Sequence, residues 1–253
     1  MEFWSQLNPR RYRKSGYIAI GALIGVLAGS AVSLFRYMIG FILEQVVTVY
    51  SFLREQPQWI PAWILFSLVM GVILGQIVKS DPDIKGSGIP QVELQLQGKM
   101  DMNWWSVYWK KFVGGAISIG SGLLLGREGP SIQLGASVGQ GVAETFKANR
   151  VQKNVFISSG AGAGLAAAFN APIAGLMFVL EEVHHTFSPL VAVTTLTAAI
   201  VANFISLNVF GVHPSLNLGN DQRFPMEYYG YVVLLGIILA IFGLAYHRLT
   251  LAL

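Results

Sequence analysis

The chain has 253 residues, of which 53% are apolar and only 12% charged. A water-facing domain carries about 25% charged residues, so this composition excludes most soluble enzymes and nucleic-acid binders despite the net charge of +4. With no cysteine, disulfide frameworks, thiolate metal sites and cysteine nucleophiles are excluded as well.

In chain order, Arg10, Arg11, Arg13 and Lys14 come first and are followed by an uncharged run from Gly16 to Phe35. A run of about 20 apolar residues is enough for one transmembrane helix. The basic cluster places the N-terminus in the cytoplasm by the positive-inside rule. Ser51–Gln58 is then an external loop, Trp59 to Val78 a second span, and Lys79, Lys85, Lys99 and Lys110 mark the return to the inside. Phe112–Gly126 is uncharged but short, Asn154–Leu180 is long, Thr186–Asn220 has no Asp, Glu, Lys or Arg, and Tyr228–Tyr246 closes the set. None of these runs alternates with period two, so lipid-facing strands are excluded. The expected fold is an all-α integral membrane protein with tilted and broken helices. Small residues four apart at Gly21/Gly25/Gly29, Gly71/Gly75, Gly135/Gly139 and Gly160/Gly164 are expected to let helix backbones approach closely.

Three apolar stretches are interrupted by glycine and proline: Gly86-Ser87-Gly88-Ile89-Pro90, Gly126-Arg127-Glu128-Gly129-Pro130 and Phe169-Asn170-Ala171-Pro172. Proline suits a first helical turn and glycine permits unusual backbone angles, so each reads as a helix start, with a surface turn as the other reading. Broken helices whose N-termini meet inside a membrane present free N–H groups and positive dipole ends, which together attract an anion.

Glu128, flanked by glycines at such a start, is the leading functional residue. Its carboxylate competes for the N–H groups that attract an anion, so it occupies the site when ionised and leaves when protonated. The alternative is a carboxylate satisfied by Arg127. Glu181 and Glu182 follow the third break, with Glu182 ten residues after Pro172, about 15 Å of helix from mid-membrane to the water boundary. They read either as a second proton station or as solvated interface acids. Lys111 is either buried against an acid, Glu93 being nearest in sequence, or an interfacial lysine whose amine reaches water. His184 and His185 beside the glutamates lack a third ligand, so no metal site is expected. Gly122–Gly129 lacks the lysine of a phosphate-binding loop, and Gly160–Gly164 is not a dinucleotide fingerprint.

These motifs together resemble the chloride channel and transporter (CLC) family. The residues that carry the likeness are Gly86–Pro90, Gly126–Pro130 and Ala167-Ala168-Phe169-Asn170-Ala171-Pro172 followed by Gly175 and Glu181-Glu182. The resemblance implies that Ser87 coordinates the central chloride through its hydroxyl, within an anion site drawn from Gly86, Ser87, Gly88, Ile89, Pro90, Gly126, Arg127, Gly129 and Pro130. It implies that Glu128 is the external gating glutamate and Glu182 the internal proton-transfer glutamate of the exchangers. Ser87 in place of proline implies chloride over nitrate, and the intact Gly-Arg-Glu-Gly-Pro speaks against the fluoride-exporting branch.

The family core is built from two inverted repeats, roughly twice this length. Residues 1–15 then form a cytoplasmic segment, 16–227 the first repeat and 228–253 the start of the second. The expected function is proton-coupled chloride antiport as the N-terminal half of an exchanger in the cell (inner) membrane. Its expected partners are chloride, protons, the lipid bilayer, a complementary C-terminal half and, when complete, a second copy in a homodimer; no cofactor and no nucleic acid are expected. The alternatives are a passive channel half, a half that completes itself by self-association, and a non-transporting membrane scaffold.

Overall fold

The computed structural model describes residues 14–184, 187–211 and 225–252. Every regular element among them is helical: α1 (Lys14–Glu55), α2 (Ile60–Ser80), α3 (Ile89–Leu96), α4 (Trp104–Gly120), α5 (Glu128–Thr145), α6 (Arg150–Phe169), α7 (Pro172–Phe178), α8 (Pro189–Phe210) and α9 (Tyr229–Ala252). Helices α1, α2, α8 and α9 are long and apolar enough to cross a membrane. Residues Leu216–Leu253, which contain α9, form a unit separate from Met1–Ser215. Arg10, Arg11, Arg13 and His185 lie outside the described residues.

The expected first span ends at Phe35 because Arg36 is charged, yet α1 runs straight through it, 42 residues in all from Lys14 to Glu55. The guanidinium is held where it stands: Nη1 donates to the Ala167 carbonyl and to Ser206 Oγ, both at 2.7 Å, and the group lies 4.3 Å from the Phe210 ring centre. The helix reaches Glu55, so the expected Ser51–Gln58 loop shrinks to Gln56 and a short turn at Pro57–Trp59.

Local chemistry sets the other boundaries. Asn103 caps α4 by accepting from the Trp105 and Ser106 amides at 3.1 and 3.2 Å. Asn149 and Gln152 form a reciprocal capping box on α6. The long apolar run splits where expected: Asn170 takes the left-handed conformation at φ 57°, and Pro172 opens α7.

Glycines account for the tightest crossings. A methyl group on Gly135 would collide with the Gly160 carbonyl and one on Gly160 with that of Gly135, so α5 and α6 touch backbone to backbone. Gly21, Gly25 and Gly29 lie against Thr194, Ala198 and Ala202, seating α1 on α8. Gly71 and Gly75 differ: among the described residues nothing lies within 4 Å of a Cβ placed on either, and no residue of α2 is buried. The core between α1, α5 and α6 is filled by Ile24, Val32, Phe35, Ile132, Leu134, Phe156 and Ile157.

Candidate anion site

Two of the three interrupted stretches meet. Gly86 and Gly88 adopt φ of +69° and +94°, which only glycine takes without strain, and Gly88 is the N-cap of α3 with Pro90 in its first turn. Arg127 is the N-cap of α5, which opens at Glu128. A methyl group on Gly129 would lie 2.5 Å from the Ser87 carbonyl oxygen and 2.7 Å from its Cβ. Both starts wall a cavity of about 610 Å³.

Of the expected site residues, Gly86, Ser87, Ile89, Gly126, Glu128, Gly129 and Pro130 line this cavity. Gly88, Pro90, Arg127 and Glu182 do not. Gly88 is instead buried against the Gln133 side chain. The third break, Phe169–Pro172, is also absent from the wall; Asn170 Oδ1 accepts from Ser206 Oγ of α8 at 2.9 Å. Glu182 is exposed on a wide helical turn, Val179–Val183, that follows α7. Such turns insert one extra residue per helical cycle and recur at functional positions.

The polar groups at the cavity suit a negative ligand. Among the described residues, the amides of Gly86, Ser87 and Gly88, and those of Glu128 and Gly129, carry no hydrogen bond. Ser87 Oγ accepts from the Ile89 amide at 3.3 Å, which leaves its own proton free to donate. The half-buried Glu128 side chain folds back over Gly126, where a methyl group would strike its carboxylate oxygen. Among the described residues no ion pair joins Glu128 to Arg127. The carboxylate thus lies at the opening of its own helix, where the dipole favours negative charge.

Small residues of α4 (Gly114, Gly115 and Ser118) leave the cavity its room, and Leu74, Ile77 and Val78 of α2 make its apolar side. Lys111 behaves as neither reading expected. It is 4% exposed, and its amine donates to the Ile84 carbonyl at 2.9 Å and the Gly86 carbonyl at 2.7 Å rather than pairing with Glu93. Asp81, at the head of the same loop, accepts from Ser106 Oγ and pairs with Lys110 at 3.3 Å. Partial burial, and then the Asp81 charge, raise the Asp83 carboxyl above its ordinary range. His184 Nε2 lies 2.8 Å from Ser158 Oγ.

Sequence reasoning missed Gln133. It is fully buried on α5 and donates to the Asp83 carbonyl at 2.8 Å. The available signal was an amide side chain one helical turn after the second motif.

A family model for voltage gated chloride channels matches residues 67–253. The chain belongs to the voltage-gated chloride channel (CLC) family. Among its curated relatives, the H(+)/Cl(-) exchange transporter ClcA of Vibrio parahaemolyticus is 32% identical over 240 residues, covering 92% of this chain and 51% of the relative. The ClcA exchange transporter of Salmonella arizonae is 34% identical over 233 residues, covering 90% and 48%. A crystal structure of a slow cyanobacterial Cl-/H+ antiporter superposes with TM-score 0.80 at 32% identity, covering 94% of this chain and 56% of that one. A CLC-type fluoride/proton antiporter superposes with TM-score 0.67 at 26% identity, covering 90% and 55%. This CLC chain therefore spans about half the length of the curated relatives it matches.

Proposed function

We propose that this chain supplies the N-terminal half of a proton-coupled chloride exchanger. The observation that carries the reading is the junction of Ser87 and Glu128 in one cavity, with unpartnered amides from both helix starts. A halide entering there gives up water and gains N–H groups and the Ser87 hydroxyl. Glu128 competes for the same donors while ionised and vacates them on taking a proton, which couples proton movement to anion movement.

Glu182, exposed after α7, is assigned the inward proton station. The cavity walls supplied here come from α2 to α5 and the loops between them, and a complementary C-terminal half would close the remainder, with residues 228–253 opening it. The basic Arg10–Lys14 segment supports a cytoplasmic N-terminus in the inner membrane. A homodimer of completed subunits is part of the same reading.

The test is reconstitution in chloride-loaded liposomes, with and without the second half of a CLC exchanger expressed alongside. The expected result is chloride efflux with opposed proton movement when both halves are present. Flux that ignores chloride, or no flux with both halves inserted, overturns the reading.

A further inference from the structure

Four consecutive carbonyl oxygens lie just before Ser87, and each accepts an N–H from a side chain. Gln133 Nε2 of α5 donates to Asp83 at 2.8 Å. Lys111 Nζ of α4 donates to Ile84 at 2.9 Å and to Gly86 at 2.7 Å. Gln91 Nε2 of α3 donates to Lys85 at 2.7 Å.

Stability alone does not explain this arrangement. Gln133 is 0% exposed and its Oε1 is buried with no partner among the described residues, a desolvation cost that leucine or methionine would avoid. The same oxygen lies against the α-carbon of Gly88, so the side chain touches the loop at both ends. Lys111 places a cation at 4% exposure with no carboxylate within 4.0 Å among the described residues. These costs are offset only if the loop must be held in one shape.

The consequence for an anion follows from dipole direction. A free carbonyl beside a halide repels it, whereas a carbonyl engaged by a donor is committed elsewhere. With Asp83, Ile84, Lys85 and Gly86 engaged and the Ser87 carbonyl packed against Gly129, the donors the loop keeps free are the amides of Gly86, Ser87 and Gly88 and the Ser87 hydroxyl. We infer that Gln133, Lys111 and Gln91 are positioning residues that fix the polarity and width of the Ser87 loop and thereby set which anions it prefers. The inference rests on the reading of this cavity as an anion site. A loop of fixed width discriminates a small halide from a larger planar anion, and a loosened one does not.

The test compares chloride with nitrate in the two-half liposome assay for the unmutated protein, Gln133→Met, Lys111→Met, Lys111→Arg and Gln91→Met. A variant that inserts poorly slows both anions alike, so the readout is the chloride-to-nitrate rate ratio. The expected result is a fall in that ratio of about threefold to tenfold for Gln133→Met, the net worth of one hydrogen bond. Lys111→Met falls at least as far, Lys111→Arg keeps the ratio because the guanidinium still donates, and the more accessible Gln91→Met shifts it in the same direction. An unchanged ratio across the three methionine variants overturns the inference while leaving chloride transport standing. An unmutated protein that moves neither anion fails the transport reading itself, and this inference falls with it.

Discussion

Gly129 rests against Ser87. A methyl group added to Gly129 would come within 2.5 Å of the Ser87 carbonyl oxygen, so the first turn of α5 touches the loop that opens α3. Two stretches about 40 residues apart in the chain are thereby joined without a side chain between them.

Gly129→Ala is the sharpest probe of that contact. The added carbon forces the two helix starts apart, an overpacking strain of about 1 to 3 kcal/mol. Chloride flux in the two-half assay is expected to fall by roughly tenfold or more, with the helical content of the purified chain unchanged by circular dichroism. Flux equal to that of the unmutated protein would mean that the contact has no part in the site.

Glu128 and Glu182 should separate by phenotype. Glu128→Ala is expected to abolish proton movement while chloride still passes, because the competing carboxylate is gone and the amides remain. Glu182→Gln is expected to uncouple proton from chloride flux without removing the anion site, since Glu182 is absent from the cavity wall. Simultaneous pH and chloride recording from one vesicle population checks both. Loss of chloride passage in Glu182→Gln would move that residue into the anion path.

The glycine pairs make a contrast in stability. Gly160→Ala drives a carbon into the Gly135 carbonyl and is expected to destabilise the α5–α6 crossing by at least about 1 to 3 kcal/mol. Gly71→Ala meets nothing within 4 Å and is expected to be neutral, or stabilising by up to about 1 kcal/mol through helix propensity. Thermal unfolding in detergent distinguishes the two.

Arg36 is expected to tolerate replacement poorly. Arg36→Met leaves the Ala167 carbonyl near the end of α6 without its charged donor, and hydrogen bonds to charged groups contribute about 1.5 to 3 kcal/mol. Arg36→Lys removes the planar group above Phe210 and is expected to recover only part of the loss. Melting temperatures of the two variants measure this.

The legible parts of the sequence were those set by local backbone chemistry. Gly88, Arg127 and Asn170 each stand at a helix boundary that glycine and proline spacing announces. The pairing of Gly135 with Gly160 was foreshadowed by their small-residue spacing, but the same spacing at Gly71 and Gly75 leads to no contact among the described residues. Spacing shows that a helix can approach another and carries no record of which partner is there. Long-range satisfaction of charge was invisible for the same reason. Arg36 looked like the end of a span because its acceptors, Ala167 and Ser206, lie 131 and 170 residues away. Lys111 read as half of an ion pair or as an interfacial lysine, whereas its acceptors are two backbone carbonyls, which every residue carries and which no residue identity marks. The meeting of Ser87 and Glu128 was anticipated from the motifs, while the failure of Pro172 to join the same cavity needed the fold.

The central claim is that the Ser87 and Glu128 helix starts together hold a dehydrated halide. Anomalous scattering from bromide, in crystals of the two-half assembly, locates that ion directly. The account predicts a bromide peak within hydrogen-bond reach of Ser87 Oγ and the amides of Gly86–Gly88 or Glu128–Gly129, strengthened in Glu128→Ala. Bromide bound elsewhere, with this cavity empty of it in both proteins, would contradict the account.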